Sequence, residues 1–229
     1  MQMPEAPNAV RELASDPTSR KKFLRQAGGT GVAASLAAFI AACGGDSSTK
    51  SKSTSTPAAS TPAASTSGTD QFGKGDLGIA NYALTLEYLE TQFYNDAAAS
   101  GMLKGKLLNT AKLFGSQEQE HVDALIALIK KAGGKPASKP KAKFPLDSAK
   151  SILALATTVE NLGASAYLGQ AGNIQDKEIL AAALSIHTVE ARHAAVLNLA
   201  TKAPPASGAF AKPATADEVL KAVKPFLVS

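Results

Sequence analysis

The chain has 229 residues, of which 45% are hydrophobic and 5% aromatic, and 24 basic against 19 acidic side chains give it a net charge of +5. That length accommodates one ordinary domain with tails, and a charge so small and dispersed, without interleaved aromatics, argues against a nucleic-acid-binding surface. Cys43 is the only cysteine, which excludes a disulfide framework, a cysteine-built metal cluster and thiol catalysis in the folded part.

Residues 1–43 read as an export signal. Basic residues in SRKKFLR (Ser19 to Arg25) precede the moderately apolar AGGTGVAASLAAFIAAC, too short and too glycine-rich for a membrane span. Its end, Ile40-Ala41-Ala42-Cys43, resembles a bacterial lipobox, in which the cysteine carries the lipid. Its front resembles a twin-arginine signal, with Lys21 where the second arginine belongs, so twin-arginine and general secretory export both stay open. These resemblances imply a protein anchored through Cys43 to the outer face of the bacterial cytoplasmic membrane. Without residues 1–43, which hold five basic and three acidic side chains, the net charge is +3.

Residues 44–69 are almost entirely Ser, Thr, Ala, Gly, Pro and Lys. With no large apolar side chain they cannot offset their ordering entropy, and they read as a disordered linker. The folded domain is expected over 70–229.

From there every long segment is helical and none alternates as a strand. A first helix is predicted from Asp76 to Ser100 and a second from Lys104 to Ala132, closed by Gly133-Gly134. The basic stretch KPASKPKAK, Lys135 to Lys143, follows as a solvated loop. A third helix starts near Asp147, taken as its N-cap, and fades at Gly169 to Gly172. A fourth starts near Asp176 and stops before Pro204-Pro205. A short fifth begins at Thr215, where Thr215-x-x-Glu218 has capping-box form. The expected fold is all-α: a four-helix bundle of two antiparallel hairpins, a long crossover between them, and a short C-terminal helix.

In SIHTVEARHAAVL, Glu190 and His193 occupy positions where the apolar rhythm of Ala183, Ile186, Ala194 and Leu197 calls for core residues. The second helix repeats the pattern in EQEHV, with Glu118 and His121 flanked inward by Ala111, Phe114 and Leu125. The chain has three His and ten Glu, so chance does not readily place Glu three residues before two of the three. Residues three apart share a helix face and can reach one ion. The first and third helices each add a carboxylate followed seven residues later by tyrosine: Glu87 and Tyr94, then Glu160 and Tyr167.

Two side chains of an antiparallel pair lie level when the turn falls midway between them. The midpoint of 87 and 118 falls in SGMLKG, and that of 160 and 190 in AGNIQD, both helix breakers. For the hairpins to face each other about a twofold axis, Gly134 to Asp147 must return along the bundle. With three prolines among its 14 residues, at ~3.1 Å each it spans roughly 43 Å, about the length of the preceding helix. Four inward carboxylates with no inward Lys or Arg would be severely destabilising alone. Two divalent cations balance them, and carboxylate with imidazole and no thiolate suits iron or manganese better than structural zinc.

Glu on two helices with Glu-x-x-His on the other two resembles the ferritin-like di-iron or di-manganese carboxylate proteins. The Glu-x6-Tyr spacing is similar to that of bacterioferritins and rubrerythrins. LEYLETQFY, EQEHV and TVEARHAAVL look most like the exported ferritin-like branch related to desiccation-associated proteins, over roughly Gly75 to Thr201. The resemblance implies that Glu118 and Glu190 bridge or chelate two ions, Glu87 and Glu160 act as terminal carboxylates, and His121 and His193 each hold one ion. Glu90, Tyr94, Tyr167 and His187 are expected around the ligands rather than among them, and Gly163 and Ala164 are small enough to leave room for a small oxidant.

The resemblance further implies an oxidoreductase of ferroxidase, peroxidase or catalase type acting on O2 or H2O2 in envelope stress protection. The other reading is a structural or stress-protective envelope protein whose metal pair only holds the bundle together. A rubrerythrin-type electron-transfer module would need cysteines, so the reductant is external. A lipid anchor argues against a storage cage and leaves smaller homo-oligomers open. Hydroxylation of an organic substrate would need an apolar pocket, which the sequence does not reveal.

Overall fold

A computed structural model describes residues 66–228. The export signal, Cys43 and nearly all of the predicted linker lie outside the described residues. Five α-helices follow a 3-10 segment, Thr66–Phe72: α1 Gly75–Ala99, α2 Gly105–Lys131, α3 Ala149–Ala171, α4 Lys177–Ala200 and α5 Ala216–Val223. A second 3-10 segment, Lys224–Phe226, follows α5. Among the described residues the one β feature is an isolated antiparallel bridge between Ala142 and Leu227, and no helix is long and apolar enough to cross a membrane.

α1 pairs with α2 and α3 with α4, while α1 also touches α3 and α2 touches α4. The carboxylate of Asp76, at the start of α1, accepts hydrogen bonds from the backbone N–H groups of Gln175 and Asp176 in the α3–α4 turn, the shortest at 2.6 Å. The hairpins therefore point opposite ways, and the connection after α2 has to run the length of the bundle. It does so beside α1. Asn81 donates to Lys135 O at 3.2 Å and accepts from Ala137 N at 2.8 Å near the start. Gln92 donates to Ala142 O at 2.8 Å further along. Phe144 then packs edge-on against Phe93. The solvated basic loop is thus pinned to α1 through its backbone while Lys135, Lys139, Lys141 and Lys143 remain exposed.

Helix ends follow local chemistry. Asp176 caps α4 by accepting from Glu178 N and Ile179 N, and Thr215 forms the expected capping box with Glu218. α3 departs from expectation: its N-cap is Ser148, not Asp147, because Ser148 and Ser151 exchange reciprocal hydrogen bonds. Serine at N3 does the work for which the usual capping box recruits Glu or Gln. The linker boundary also moves. Residues 66–69 belong to the first 3-10 segment, with Thr69 only 2% exposed. Gly68 lies so close to α5 that a Cβ would sit 2.8 Å from Ala216 Cβ. A polar stretch that cannot order by itself is ordered by tertiary contact.

The apolar core falls into two main parts. One, with Leu84, Leu125, Ile129 and Ile179, fills the end that holds the α3–α4 turn. The other, with Phe93, Ala97, Phe114 and Leu197, fills the end that holds the α1–α2 turn. α5 lays Ala216 and Val219 on Tyr82, Leu86 and Ala166 of the α1–α3 face. The segment leading into α5 is seated by Ala214 N donating to Ser165 O at 3.0 Å. Gly169 makes that approach possible, since a Cβ there would lie 1.9 Å from Ala214 O.

Gly169→Ala should therefore lift the lead-in to α5 and destabilise the protein by about 1–3 kcal/mol, as overpacking does, lowering the melting temperature by roughly 2–4 °C per kcal/mol. Gly172, with nothing within 4 Å of a Cβ and an ordinary right-handed backbone, is the matched control, and Gly172→Ala should leave the melting temperature unchanged in scanning fluorimetry.

Candidate metal centre

Between the two apolar halves lies a polar layer. Glu87, Glu118, Glu160 and Glu190 are each 0% exposed, and His121 and His193 are also buried. Each is carried inward by a helix with buried apolar residues one turn away: Leu84 beside Glu87, Phe114 and Val122 around Glu118, Ala156 beside Glu160, Ile186 and Ala194 around Glu190, although Glu90 and Thr91, one turn after Glu87, are also buried. The six side chains form two clusters of possible ligand atoms, all within 4.8 Å of one another in each cluster. One holds Glu87, Glu118, His121 and Glu190. The other holds Glu118, Glu160, Glu190 and His193, so Glu118 and Glu190 are common to both.

His121 Nδ1 lies 2.8 Å from Glu118 Oε2, 3.2 Å from Glu87 Oε2 and 3.4 Å from Glu190 Oε1. His193 Nδ1 lies 2.9 Å from Glu118 Oε1 and 3.3 Å from Glu160 Oε2. The tyrosines tie the hairpins together. Tyr94 of α1 donates to Glu160 Oε1 of α3 at 2.5 Å, and Tyr167 of α3 donates to Glu87 Oε1 of α1 at 2.5 Å. Glu87 and Glu160 thus each have one oxygen held from the opposite hairpin and one turned toward a histidine.

The donor set fits divalent cations on this geometry. Glu118 Oε1, Glu160 Oε2, both Glu190 carboxylate oxygens and His193 Nδ1 are buried without an aligned hydrogen bond. Short separations such as 2.9 Å between His193 Nδ1 and Glu118 Oε1 therefore bring atoms together without hydrogen-bond alignment. Buried polar atoms normally find partners, and lone pairs converging on a common point are the arrangement a cation satisfies. Gln117, one residue before Glu118, reinforces it: its Oε1 lies 2.8 Å from His193 Nε2. If that nitrogen carries the hydrogen, Nδ1 is left to donate its lone pair. Phe114 stacks on the same imidazole at 3.9 Å between ring centres. Nothing in the sequence marks Gln117, because glutamine beside a ligand is common on any exposed helix.

The outer residues separate. Glu90 is buried beside Glu190: a Cβ on Gly163 would lie 2.8 Å from both Glu90 Oε1 and Glu190 Oε2. It belongs to neither ligand cluster. His187, also expected near the ions, is in neither cluster; it lines a separate surface cavity with Asn161, Asn198 and Phe210. Three residues before Glu190, it looks onto the segment that follows α4 instead of onto the centre. Ala164 lines that same outer cavity, whereas Gly163 is the small residue that faces the carboxylates.

Protonation reflects the crowding. Burial pushes Glu87 up to about 7, with Glu118 adding repulsion against relief from His121. Burial, reinforced by neighbouring carboxylates, holds Glu190 and Glu90 well above the usual range, and burial also raises Glu160. Burial would raise Glu118 too, but hydrogen bonds with His121 and His193 bring it down to about 2. Burial opposes charge on the histidines, yet the facing carboxylates push His121 up to about 12 and His193 up to about 9.

These directions set a pH dependence for the protein stripped of metal. A raised group stabilises fully below its unfolded value and loses that contribution as pH rises through its folded value. Glu87 loses it between 4.5 and about 7, and His193 between 6.5 and about 9. Glu118 acts oppositely, losing stability only as pH falls from 4.5 toward about 2. Metal-free protein should therefore melt lower at pH 8 than at pH 5, and saturating divalent metal should remove or reverse that slope. Equal melting temperatures at the two pH values in chelator would contradict the arrangement.

A search of the curated proteins finds no match. Among solved structures, a conserved hypothetical protein, rv2844, from Mycobacterium tuberculosis is similar, with a TM-score of 0.51 and 19% identity over 56% of this chain and 98% of that one. At that identity the likeness concerns the fold. The family model for the ferritin-like domain matches residues 75–203, from the first residue of α1 to just past the end of α4, so the chain belongs to the ferritin-like family.

Proposed function

We propose that this is an exported, lipid-anchored ferritin-like protein of the bacterial envelope that holds two divalent ions, iron or manganese, and oxidises metal or reduces O2 or peroxide in protection against stress. The observation that carries the reading is the pair of four-residue clusters sharing Glu118 and Glu190. Four carboxylates offer −4 and two divalent ions +4, which resolves the buried charge that the fold otherwise has to tolerate. Export and anchoring rest on the signal-like residues 1–43 and on Cys43.

When bound, the ions would supply a two-electron redox couple next to a small oxidant. The protein's part is to hold the ligands. Glu118 and Glu190 reach both positions, Glu87 and His121 complete one, and Glu160 and His193 complete the other. Tyr94 and Tyr167 keep one oxygen of each terminal carboxylate from rotating away. Gln117 and Phe114 fix the His193 ring. The surrounding Leu, Ile and Phe side chains exclude bulk water, which strengthens every charge interaction inside. Cys43, assigned to the lipid anchor, is the only cysteine, so the bundle carries no cysteine-built electron-transfer module and the reductant is external.

Position between the two halves of the core also favours a second reading, in which the ions only stabilise the bundle. Metal analysis and rapid mixing separate the two. Protein from its native host should contain two ions of iron or manganese per chain, and Glu118→Ala should lose both, because that residue serves both positions. After anaerobic loading with Fe(II) or Mn(II), mixing with O2 or H2O2 should produce an optical change and consume oxidant. Two ions with no reaction toward either oxidant would leave the structural reading, and failure to bind any divalent ion would remove both.

A further inference from the structure

A cavity of about 100 Å³ lies on the α1–α3 face, on the side of the bundle away from the two histidines of α2 and α4. Leu86, Leu89 and Leu162 form its inner wall, and Val219, Val223 and Phe226 of α5 and the following 3-10 segment form its roof. Two further lining residues, Thr158 and Ala222, are exposed and mark where it meets the surface. Its floor is polar at one point. Glu90, 4% exposed, lines the cavity together with Gly163, and its carboxyl takes part in no hydrogen bond among the described residues. Thr158 stands at the exposed rim, its hydroxyl donating to Ala154 O at 3.1 Å.

These features describe a ligand. The aliphatic and aromatic walls reject charge and favour an uncharged apolar body. The enclosed volume is smaller than the roughly 150 Å³ apolar cavity that accepts benzene in another protein, so a small ring would fill it and extend into the opening beside Thr158 and Ala222. The Glu90 carboxyl on the chamber wall offers one hydrogen-bonding site to a polar group at the inner end of a guest. Backbone symmetry places Glu90 and Gly163 at matching positions, three residues after Glu87 and Glu160. A side chain at Gly163 would strike both Glu90 and Glu190, so the glycine keeps the cavity floor open next to the centre.

We propose that this chamber binds one small uncharged molecule of about the size of phenol, with an apolar ring in the chamber and a hydroxyl on the Glu90 carboxyl. Binding rests on the chamber alone. That such a guest neighbours a dinuclear centre, as an organic substrate or reductant would, rests on the function proposed above.

The test uses the purified full chain before and after chelation, titrated with phenol and with benzene and followed by methyl NMR. Phenol should shift the methyl signals of Leu162, Val219 and Val223 in both forms, with affinity about tenfold above that of benzene for the one hydrogen bond gained. Glu90→Leu should erase the preference for phenol, and Val159→Phe, which fills the chamber from α3, should abolish binding of both probes. A phenol-soaked crystal of the unaltered protein supplies the same answer if either variant fails to fold. No shift at these methyls with no phenol in the chamber, or an undiminished phenol preference in Glu90→Leu, would overturn the proposal. Because chelated protein is included, loss of the metal reading would leave the binding result standing, and a failed titration would leave the metal analysis untouched.

Discussion

Mutual repulsion among four carboxylates, packed level with one another in the middle of a helical bundle, is the constraint around which this structure is arranged. Apolar side chains above and below the layer remove water from it, which makes each uncompensated charge more costly. Two imidazoles from α2 and α4 and two phenols from α1 and α3 are the nearest answers within the chain. Together they leave five buried donor atoms without an aligned partner, and that deficit is what a pair of cations would supply. The core is consequently divided into two apolar blocks, and whatever occupies the layer joins them.

The two hairpins are close to equivalent, but not in what surrounds their carboxylates. Glu87 and Glu160 each accept from a tyrosine of the other hairpin, and Glu118 and Glu190 each stand three residues before a histidine. The equivalence then breaks in two places. Gln117 steadies His193, whereas the corresponding position before Glu190 is Val189, which offers no such bond. Glu90 projects toward the space that its counterpart Gly163 leaves vacant, since only one of these positions can carry a side chain there. Two clusters built from the same residue types are thereby given different surroundings.

The short fifth helix explains itself in the same terms. The α1–α3 face would otherwise expose Tyr82, Leu86 and Ala166. α5 covers it with Ala216 and Val219, and the 3-10 segment Thr66–Phe72 packs against both α1 and α5. The cover is incomplete over Glu90, and the remaining gap is the chamber. A helix of eight residues thus both completes the fold and shapes the space beside the carboxylate layer.

Helix number, hairpin turns and the six inward side chains were legible in the sequence because each rests on local chemistry: caps, glycine breakers, and a heavy-handed violation of apolar periodicity repeated in both halves. Even the level alignment of the carboxylates followed from arithmetic about turn midpoints, since antiparallel helices leave no other choice. His187 obeys the same periodicity as a residue near the centre yet faces an outer cavity, as helix rotation is settled by packing and not by spacing. The ordering of residues 66–69, the anchoring of the crossover by Asn81 and Gln92, the hold of Gln117 on His193, and the chamber over Glu90 all depend on contacts between segments distant in the chain. Periodicity determines which face of a helix is buried; only the meeting of those faces decides what each buried atom touches.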